Sequence, residues 1–252
     1  MSKRKKRIII ILIVVAFLVI LARILLPRIY MWNRIKEIEP LMEPPAEAFT
    51  AYDVTLDNGQ SVSFDGLTIT IPKDYTLREP NDKYSKVYDR TGTNDHCIVI
   101  SAAQDVSHLD LTDKENAAAL TEEYFFHISR RNIYKGFKDL GYGNPDSAYN
   151  VYKAAVLLTA DNYNFWNWQR SYAYIVSIVL NETMFYRGDC KYIYETEDIC
   201  GIVLLDDRAI NGIYDAHAYM FSTNDLNTMY TLTLTYDSPE EVYGMLNSIV
   251  IE

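Results

Sequence analysis

A single apolar stretch near the start of the chain differs from everything that follows it. The run is unbroken from Ile8 to Ala22, resumes after Arg23 and ends at Leu26, which makes a span of 19 residues. As a helix, this span measures about 28 Å, close to the thickness of the hydrocarbon core of a bilayer. The pattern therefore predicts a transmembrane helix at residues 8–26.

Basic residues on the two sides of this span predict its orientation. Five of them fill residues 3–7, whereas the four others, Arg23, Arg28, Arg34 and Lys36, lie at or beyond the far end of the span. Because positive charge favours the cytoplasmic side, residues 1–7 are expected to be a cytoplasmic basic tail. The domain after the span is then outside the cell membrane, on a protein that crosses it once.

Secretory and lipoprotein signals, which are cleaved, also begin with basic residues followed by an apolar run. Each has to be compared with a transmembrane helix that is retained. A secretory signal needs small residues at its cleavage site, but residues 23–28 read Arg-Ile-Leu-Leu-Pro-Arg. A lipoprotein signal needs a cysteine directly after the apolar run, and the first cysteine is Cys97. We therefore expect the helix to be retained and to serve as the membrane contact of the protein.

The stretch from residue 27 to residue 57 has the character of a connection. Tyr30 and Trp32 fall where an aromatic belt at the membrane surface is expected. Pro40, Pro44 and Pro45 then disfavour a continuing helix. These features predict a juxtamembrane segment and a stiff spacer, with the folded domain beginning at residue 58 and running to residue 252.

The first part of that domain shows the alternation of half-buried strands. Leu67, Ile69 and Ile71 alternate with threonines. Asn-Gly at residues 58–59 and Asp-Gly at residues 65–66 supply the left-handed conformations of tight hairpins. Further strands are predicted at 86–88, 97–102, 199–205, 215–222 and 229–236.

Capping patterns predict four helices between and after these strands. Thr112 and Glu115 form a capping box that opens a helix ending near Lys138, before two glycines. Helices are also expected at 147–158 and 165–185, although the β-branched stretch 173–180 is compatible with a strand. Ser238, followed by Pro239 and Glu241, predicts the start of the last helix. The resulting fold class is α+β, with an antiparallel sheet covered by helices.

Both ends of the domain resemble a known family. Residues 64–72, Phe-Asp-Gly-Leu-Thr-Ile-Thr-Ile-Pro, with Asp74 and Tyr75 after them, resemble the first strands of PsbP-like domains. Residues 230–236 with the helix that follows them resemble the closing elements, whereas residues 165–185 depart from the family pattern. The resemblance implies an α-β-α sandwich and a non-enzymatic binding or assembly role, as in envelope-anchored members. It assigns no functional residue.

The charge of the chain is divided unevenly. The net charge is −10, but residues 1–36 hold nine basic and no acidic residues. Residues 37–252 therefore hold 15 basic against 34 acidic residues, a net charge of −19. Such a domain repels phosphate groups at short range, so nucleic acid is not expected as a partner.

Few residues of the chain are candidates for disulfide formation, catalysis or metal binding. Outside the cell, Cys190 and Cys200 are a possible disulfide that closes a short hairpin, whereas in the cytosol all three cysteines would stay reduced. The chain has no nucleophile elbow, no His-Glu-x-x-His and no glycine-rich phosphate loop. We therefore expect no catalytic residue, no cofactor and no metal site.

An aromatic segment is the best candidate for binding. Tyr163, Trp166 and Trp168 alternate with asparagines, and exposed aromatic rings are frequent in binding surfaces. The alternative is helix packing, because Phe165, Trp168 and Tyr172 would share one helical face. The sequence favours a membrane-anchored binding or assembly module for an envelope protein or ligand. An envelope enzyme with an unrecognised acid–base site and a protective, immunity-type membrane protein are the alternatives.

Overall fold

The computed structural model describes residues 3–42, 44–79, 82–93, 96–109, 130–143, 146–162, 165–166, 170, 173, 190–206 and 213–252. Its first element is helix α1, Lys3–Met42. Within α1, the candidate span Arg4–Tyr30 contains an 18-residue window with a mean hydropathy of 3.4, and none of this window is buried in the protein. Among the described residues, this is the one helix that is long and apolar enough to cross a membrane. The predicted apolar helix is therefore confirmed, and it continues well beyond Leu26.

The folded body contains three further helices and twelve strands within the described ranges. The helices are α2 (Arg130–Asp139), α3 (Ala148–Leu157) and α4 (Pro239–Asn247). The strands are β1 (Glu47–Ala48), β2 (Gly59–Phe64), β3 (Leu67–Pro72), β4 (Tyr75–Leu77), β5 (Ser85–Arg90), β6 (Cys97–Ser101), β7 (Gln104–Asp105), β8 (Cys190–Glu195), β9 (Ile199–Leu205), β10 (Tyr214–Ser222), β11 (Asp225–Tyr236) and β12 (Val250–Ile251).

Most of the strands form one large sheet. Its order is β1-β8-β9-β10-β11-β6-β5-β4, and β7 also pairs with β11. Neighbouring strands run antiparallel, except that β1 runs parallel to β8. A smaller sheet has the order β12-β3-β2. The mixed α+β class is thus confirmed.

A hydrophobic core lies on each face of the large sheet. On one face, α3 and Phe137 of α2 pack against Ile202, Leu204 and Phe221. On the other face, the small sheet and α4 pack against Val203, Leu232 and their neighbours. All seven residues of β9 are buried, because this strand is covered on both faces. One side of the sheet is therefore covered by helices, and the other by a second sheet together with a helix.

Several local predictions are confirmed because their signals involve only neighbouring residues. Asp65 (φ 52°) and Gly66 (φ 88°) are both left-handed and join β2 to β3 in a tight hairpin. Ser147 and Ser238 each accept a hydrogen bond from a backbone N–H in the first turn of α3 and α4. The carboxylate of Glu241 accepts from the N–H of Asp237, the residue before the N-cap, and not from the N–H of Ser238 as a capping box would require.

The predicted hairpin at Asn58 and Gly59 is wrong. Gly59 is the first residue of β2 and pairs with Pro72, and residues 54–56 form no strand. A Cβ atom on Gly59 would lie 2.1 Å from the Thr70 methyl group, so the glycine permits close approach of β3. Asn58 therefore lies in a turn that leads into β2, and Gly59 serves the close contact with β3 instead of a hairpin between two strands.

The predicted spacer is also wrong from Ala46 onward. The Ala46 N–H donates to the Val156 carbonyl at 2.9 Å, and β1 then pairs with β8. Phe49 is 4% exposed, and the Asn247 amide donates to the carbonyls of Ala51 and Val54 at 2.7 and 2.9 Å. Residues 46–57 are therefore part of the folded body, and the connection between α1 and the body shrinks to residues 43–45.

The middle of the chain is described in part. The C-terminal turns of the helix predicted from Thr112 to Lys138 are present as α2, and Gly141 and Gly143 follow with φ of 90° and 73°. The start of that helix lies outside the described residues. The helix predicted at 165–185, including the helix-or-strand alternative at 173–180, falls almost wholly outside them as well.

Candidate functional site

An aromatic group lies where α1 meets the folded body. After α3, the Asn162 side-chain oxygen accepts hydrogen bonds from the Thr159 N–H and hydroxyl at 2.7 and 3.1 Å, which holds residues 160–162 in a tight helical turn. This turn contacts α1. Phe165 follows it and meets Trp32 edge to face, with 6.0 Å between the ring centres. The body is therefore packed against the C-terminal part of α1.

Trp166 is the exposed member of this group. Its side chain is 74% exposed, the highest value among the large hydrophobic residues that the structure describes. Its ring lies edge to face with Phe165, at 5.2 Å between centres. On the other side, the Lys36 ammonium group lies 5.1 Å from the centre of the Trp32 ring, in cation–π geometry. We call Phe165 and Trp166 the aromatic contact surface.

The structure does not test the binding role predicted for Tyr163, Trp166 and Trp168. Trp166 is exposed, as a binding residue must be, whereas Tyr163 and Trp168 lie outside the described residues. The packing alternative depends on Trp168 and Tyr172 and falls outside them too. What sequence reasoning missed is the pairing of Phe165 with Trp32, because the two residues are far apart in the chain.

The sequence also did not predict a polar network at one end of the large sheet. The Arg90 guanidinium forms ion pairs with Asp74 and Asp237 at 2.6 Å each and with Glu241 at 3.6 Å. The His96 Nε2 lies 2.7 Å from the second oxygen of Asp237. Arg90 ends β5, while Asp237 and Glu241 lie at the start of α4, so the network joins strand to helix. Arg90 and Asp237 are 147 residues apart in the chain, a distance that no local pattern signals.

This network is the part of the structure that comes nearest to an acid–base site. His96 is 7% exposed, and its Nδ1 has no hydrogen-bond partner in the structure. A histidine–carboxylate pair becomes catalytic when the free nitrogen faces a nucleophile or a substrate. The described residues offer no nucleophile to this nitrogen, whereas the ion pairs of Arg90 fix α4 on the sheet. We therefore assign the network a structural role.

A second polar cluster lies at the turn between β8 and β9. The Glu195 carboxylate accepts hydrogen bonds from the Lys153 ammonium at 2.5 Å and from the Tyr149 hydroxyl at 2.8 Å. Burial favours a higher pKa for Glu195, but these two donors outweigh it, so its pKa is lowered. The cluster ties α3 to the β8–β9 hairpin. Both donors come from one helix face, since they are four residues apart.

The predicted disulfide between Cys190 and Cys200 is wrong. Cys190 pairs with Leu205 across the β8–β9 hairpin, whereas Cys200 pairs with Glu195. The two cysteines are therefore five pairs apart along the ladder, or about 17 Å, and a disulfide requires Cα atoms within about 7 Å. All three cysteines are free thiols, and burial raises the pKa of Cys200 to about 12.

Within the described ranges, no group of three or more histidine, cysteine, aspartate or glutamate residues is arranged to hold a metal ion. The Arg90 network contains three carboxylates and a histidine, but the guanidinium occupies the position between the carboxylates. In the described part of the chain, these carboxylates form ion pairs with Arg90, whereas a metal centre would need them as ligands.

Comparison with known proteins adds little. No protein-family model and no curated protein matches the chain. A solved structure from Bacteroides thetaiotaomicron VPI-5482 matches 77% of the chain at 9% identity with a TM-score of 0.33. The match covers 49% of that protein, so the chain spans about half of its length. At this level, the likeness does not bear on fold or function, and the resemblance to PsbP-like domains stays a prediction.

Proposed function

We propose that this protein is a single-pass, membrane-anchored binding or assembly module of the cell envelope, and that it makes its contact through the aromatic contact surface. Its N-terminus is cytoplasmic and its α+β body is outside. The observation that carries the proposal is Trp166, a large ring left 74% exposed next to the outer part of the anchoring helix. An exposed tryptophan on a packed support is typical of a binding contact.

The charge of the body supports this proposal and narrows the choice of partner. The net charge of −19 over residues 37–252 disfavours nucleic acid and strongly anionic surfaces. A partner of the aromatic contact surface is instead expected to be neutral and apolar at the contact. The large sheet is covered on both faces, by helices on one and by the small sheet with α4 on the other, and we include the α-β-α architecture of PsbP-like domains in the proposal.

Site-specific photocrosslinking on intact cells tests the proposal. A photoreactive amino acid replaces Trp166 in the full-length chain, and the matched control carries it at Tyr84. Tyr84 is 63% exposed and precedes β5, six strands away from β1 in the large sheet. We expect adducts with an envelope component from position 166 and few from position 84. Equal labelling at the two positions, or none at 166, would overturn the proposal.

A further inference from the structure

We infer that Lys86 protects the free edge of β2, and that removal of its charge lets β2 pair with β2 of a second copy of this chain. Lys86 is thus an inhibitory contact against self-association that is built into the fold. The inference goes beyond the proposed function, because it concerns a different surface from Phe165 and Trp166.

β2 is the longest strand at a sheet end in the described part of the chain. It ends the order β12-β3-β2 and has six residues, whereas the strands at the other ends of the two sheets, β1, β4 and β12, have two, three and two. Its sequence Gly-Gln-Ser-Val-Ser-Phe has no charge and no proline, and its pairing with β3 has no bulge. Short length, charge, proline and bulges are the features that protect most outer strands from pairing with another chain. The edge of β2 therefore depends on protection from another element.

Ser61 and Ser63 direct their backbone groups to the free edge. The partner of Ser61 in β3 is Thr70, and the backbone of Thr70 is bonded on the side away from β2. There the Ser248 hydroxyl accepts from the Thr70 N–H at 2.7 Å and donates to the Thr70 carbonyl at 3.4 Å. Ser61 and Thr70 are therefore a non-hydrogen-bonded pair, and the backbone groups of Ser61 point away from β3. Those of Ser63, two residues later, point the same way.

Lys86 reaches this free edge from the large sheet. Its ammonium group donates to the Ser63 carbonyl at 3.1 Å and lies 5.3 Å from the centre of the Phe64 ring. Lys86 belongs to β5, where it pairs with Ile100 of β6, so the contact joins the two sheets. A strand that pairs with β2 has to donate its own N–H to the Ser63 carbonyl in place of this ammonium group. The added strand therefore replaces a charge-assisted hydrogen bond by a weaker neutral one.

A second copy of β2 matches this edge in geometry and in charge. Antiparallel pairing about a two-fold axis at Val62 sets Ser61 of each copy opposite Ser63 of the other, so that the outward N–H and carbonyl groups meet. Residues 59–90, which contain β2 to β5, hold five basic and five acidic residues, whereas residues 37–252 as a whole have a net charge of −19. This segment thus carries none of the net negative charge that would repel a second copy.

Sedimentation equilibrium of the full-length chain in detergent micelles tests the inference. Lys86→Gln removes the charge, and Lys83→Gln is the matched control, because the Lys83 ammonium lies 4.4 Å from the centre of the Tyr84 ring and not on β2. We expect Lys86→Gln to form a dimer at concentrations where the unchanged chain and the control are monomeric. Since pairing breaks one Lys86 hydrogen bond in each copy, the dissociation constant should fall by about tenfold to hundredfold in Lys86→Gln.

Ser61→Pro, added to Lys86→Gln, shows whether β2 is the contact. Proline removes an outward N–H and leaves the hydrogen bonds between β2 and β3 intact, because the Ser61 backbone points away from β3. We expect the double variant to be monomeric again. Amide hydrogen exchange of residues 59–64 should slow in Lys86→Gln and return to its original rate in the double variant.

Three results would each overturn the inference. They are a monomeric Lys86→Gln chain, an equally strong dimer in Lys83→Gln, and a dimer that persists with Ser61→Pro. If Ser61→Pro disturbs the fold, as judged by near-ultraviolet circular dichroism, hydrogen exchange in Lys86→Gln alone decides, and unchanged exchange at residues 59–64 in its dimer overturns the inference. None of these results affects the proposed function, which is tested by crosslinking at position 166.

Discussion

Phe49→Ala is expected to destabilise the folded body strongly, although this residue follows the membrane anchor by only a few positions. Phe49 is 4% exposed, and its N–H donates to the Ile193 carbonyl at 2.9 Å. Its ring packs against four tyrosine rings at centre distances between 5.1 and 6.2 Å. These are Tyr52, Tyr192, Tyr194 and Tyr243.

The size of the effect follows from what the substitution removes. Truncating a buried phenylalanine to alanine costs about 3 to 5 kcal/mol of the free energy of unfolding, since transfer and cavity terms add. The four ring contacts at Phe49 place it in the upper half of this range, because each aromatic pair contributes about 0.5 to 1.5 kcal/mol beyond burial. For a body of this size, about 4 kcal/mol corresponds to a fall in Tm of about 8 to 16 °C.

The measurement is thermal and urea unfolding of the full-length chain in detergent micelles, followed by near-ultraviolet circular dichroism. Tyr84→Ala is the matched control, because this ring is 63% exposed and its loss is expected to change stability by no more than about 0.5 kcal/mol. A Phe49→Ala variant as stable as this control would show that residues 46–57 are a spacer after all. The reasoning from the buried ring cluster would then be refuted.

Three further results are expected. Gly201→Ala should cost about 1 to 3 kcal/mol in urea unfolding, because the added Cβ would lie 2.5 Å from the Met220 sulfur; a neutral effect would contradict this close contact. Because the Glu195 pKa is lowered in the folded state, stability is gained above the unfolded pKa of the carboxyl and lost as the pH falls through the folded value. Glu195→Gln should therefore flatten the Tm profile between about pH 3 and pH 5. A reductant should leave Tm unchanged, because the cysteines form no disulfide. A maleimide should not label Cys200 in the native protein, since this thiol is buried. A shift in electrophoretic mobility on reduction would instead support the predicted Cys190–Cys200 disulfide.

The parts of the fold that the sequence predicted depend on signals between close neighbours. The Asp65–Gly66 turn, the serine caps of α3 and α4, and the alternation of β3 each involve fewer than ten consecutive residues. Such local signals predict the same turn, cap or strand whatever the element packs against. The exposed Trp166 was found for the same reason, since an unusual local density of aromatic residues marked it.

Most of the failures involve partners distant in the chain, although the Asn58–Gly59 hairpin and the Cys190–Cys200 pairing failed at short range. Phe49 was assigned to a spacer because its ring partners begin at Tyr52 but continue to Tyr243, and proline content dominated the local pattern. The cysteine pairing failed because the turn after Glu195 places Cys200 directly across from it, and the pairing register is set by that turn. The Arg90 network was missed because charge alone does not indicate which carboxylates meet.

The short connection between α1 and the body limits how the protein can work. The helix ends at Met42, and Ala46 is already hydrogen-bonded to α3, so the four Cα steps between them reach at most about 15 Å. In the membrane-anchored arrangement that we propose, the body could not sweep through the space above the bilayer. Any change in the tilt or rotation of α1 would then reorient the whole body.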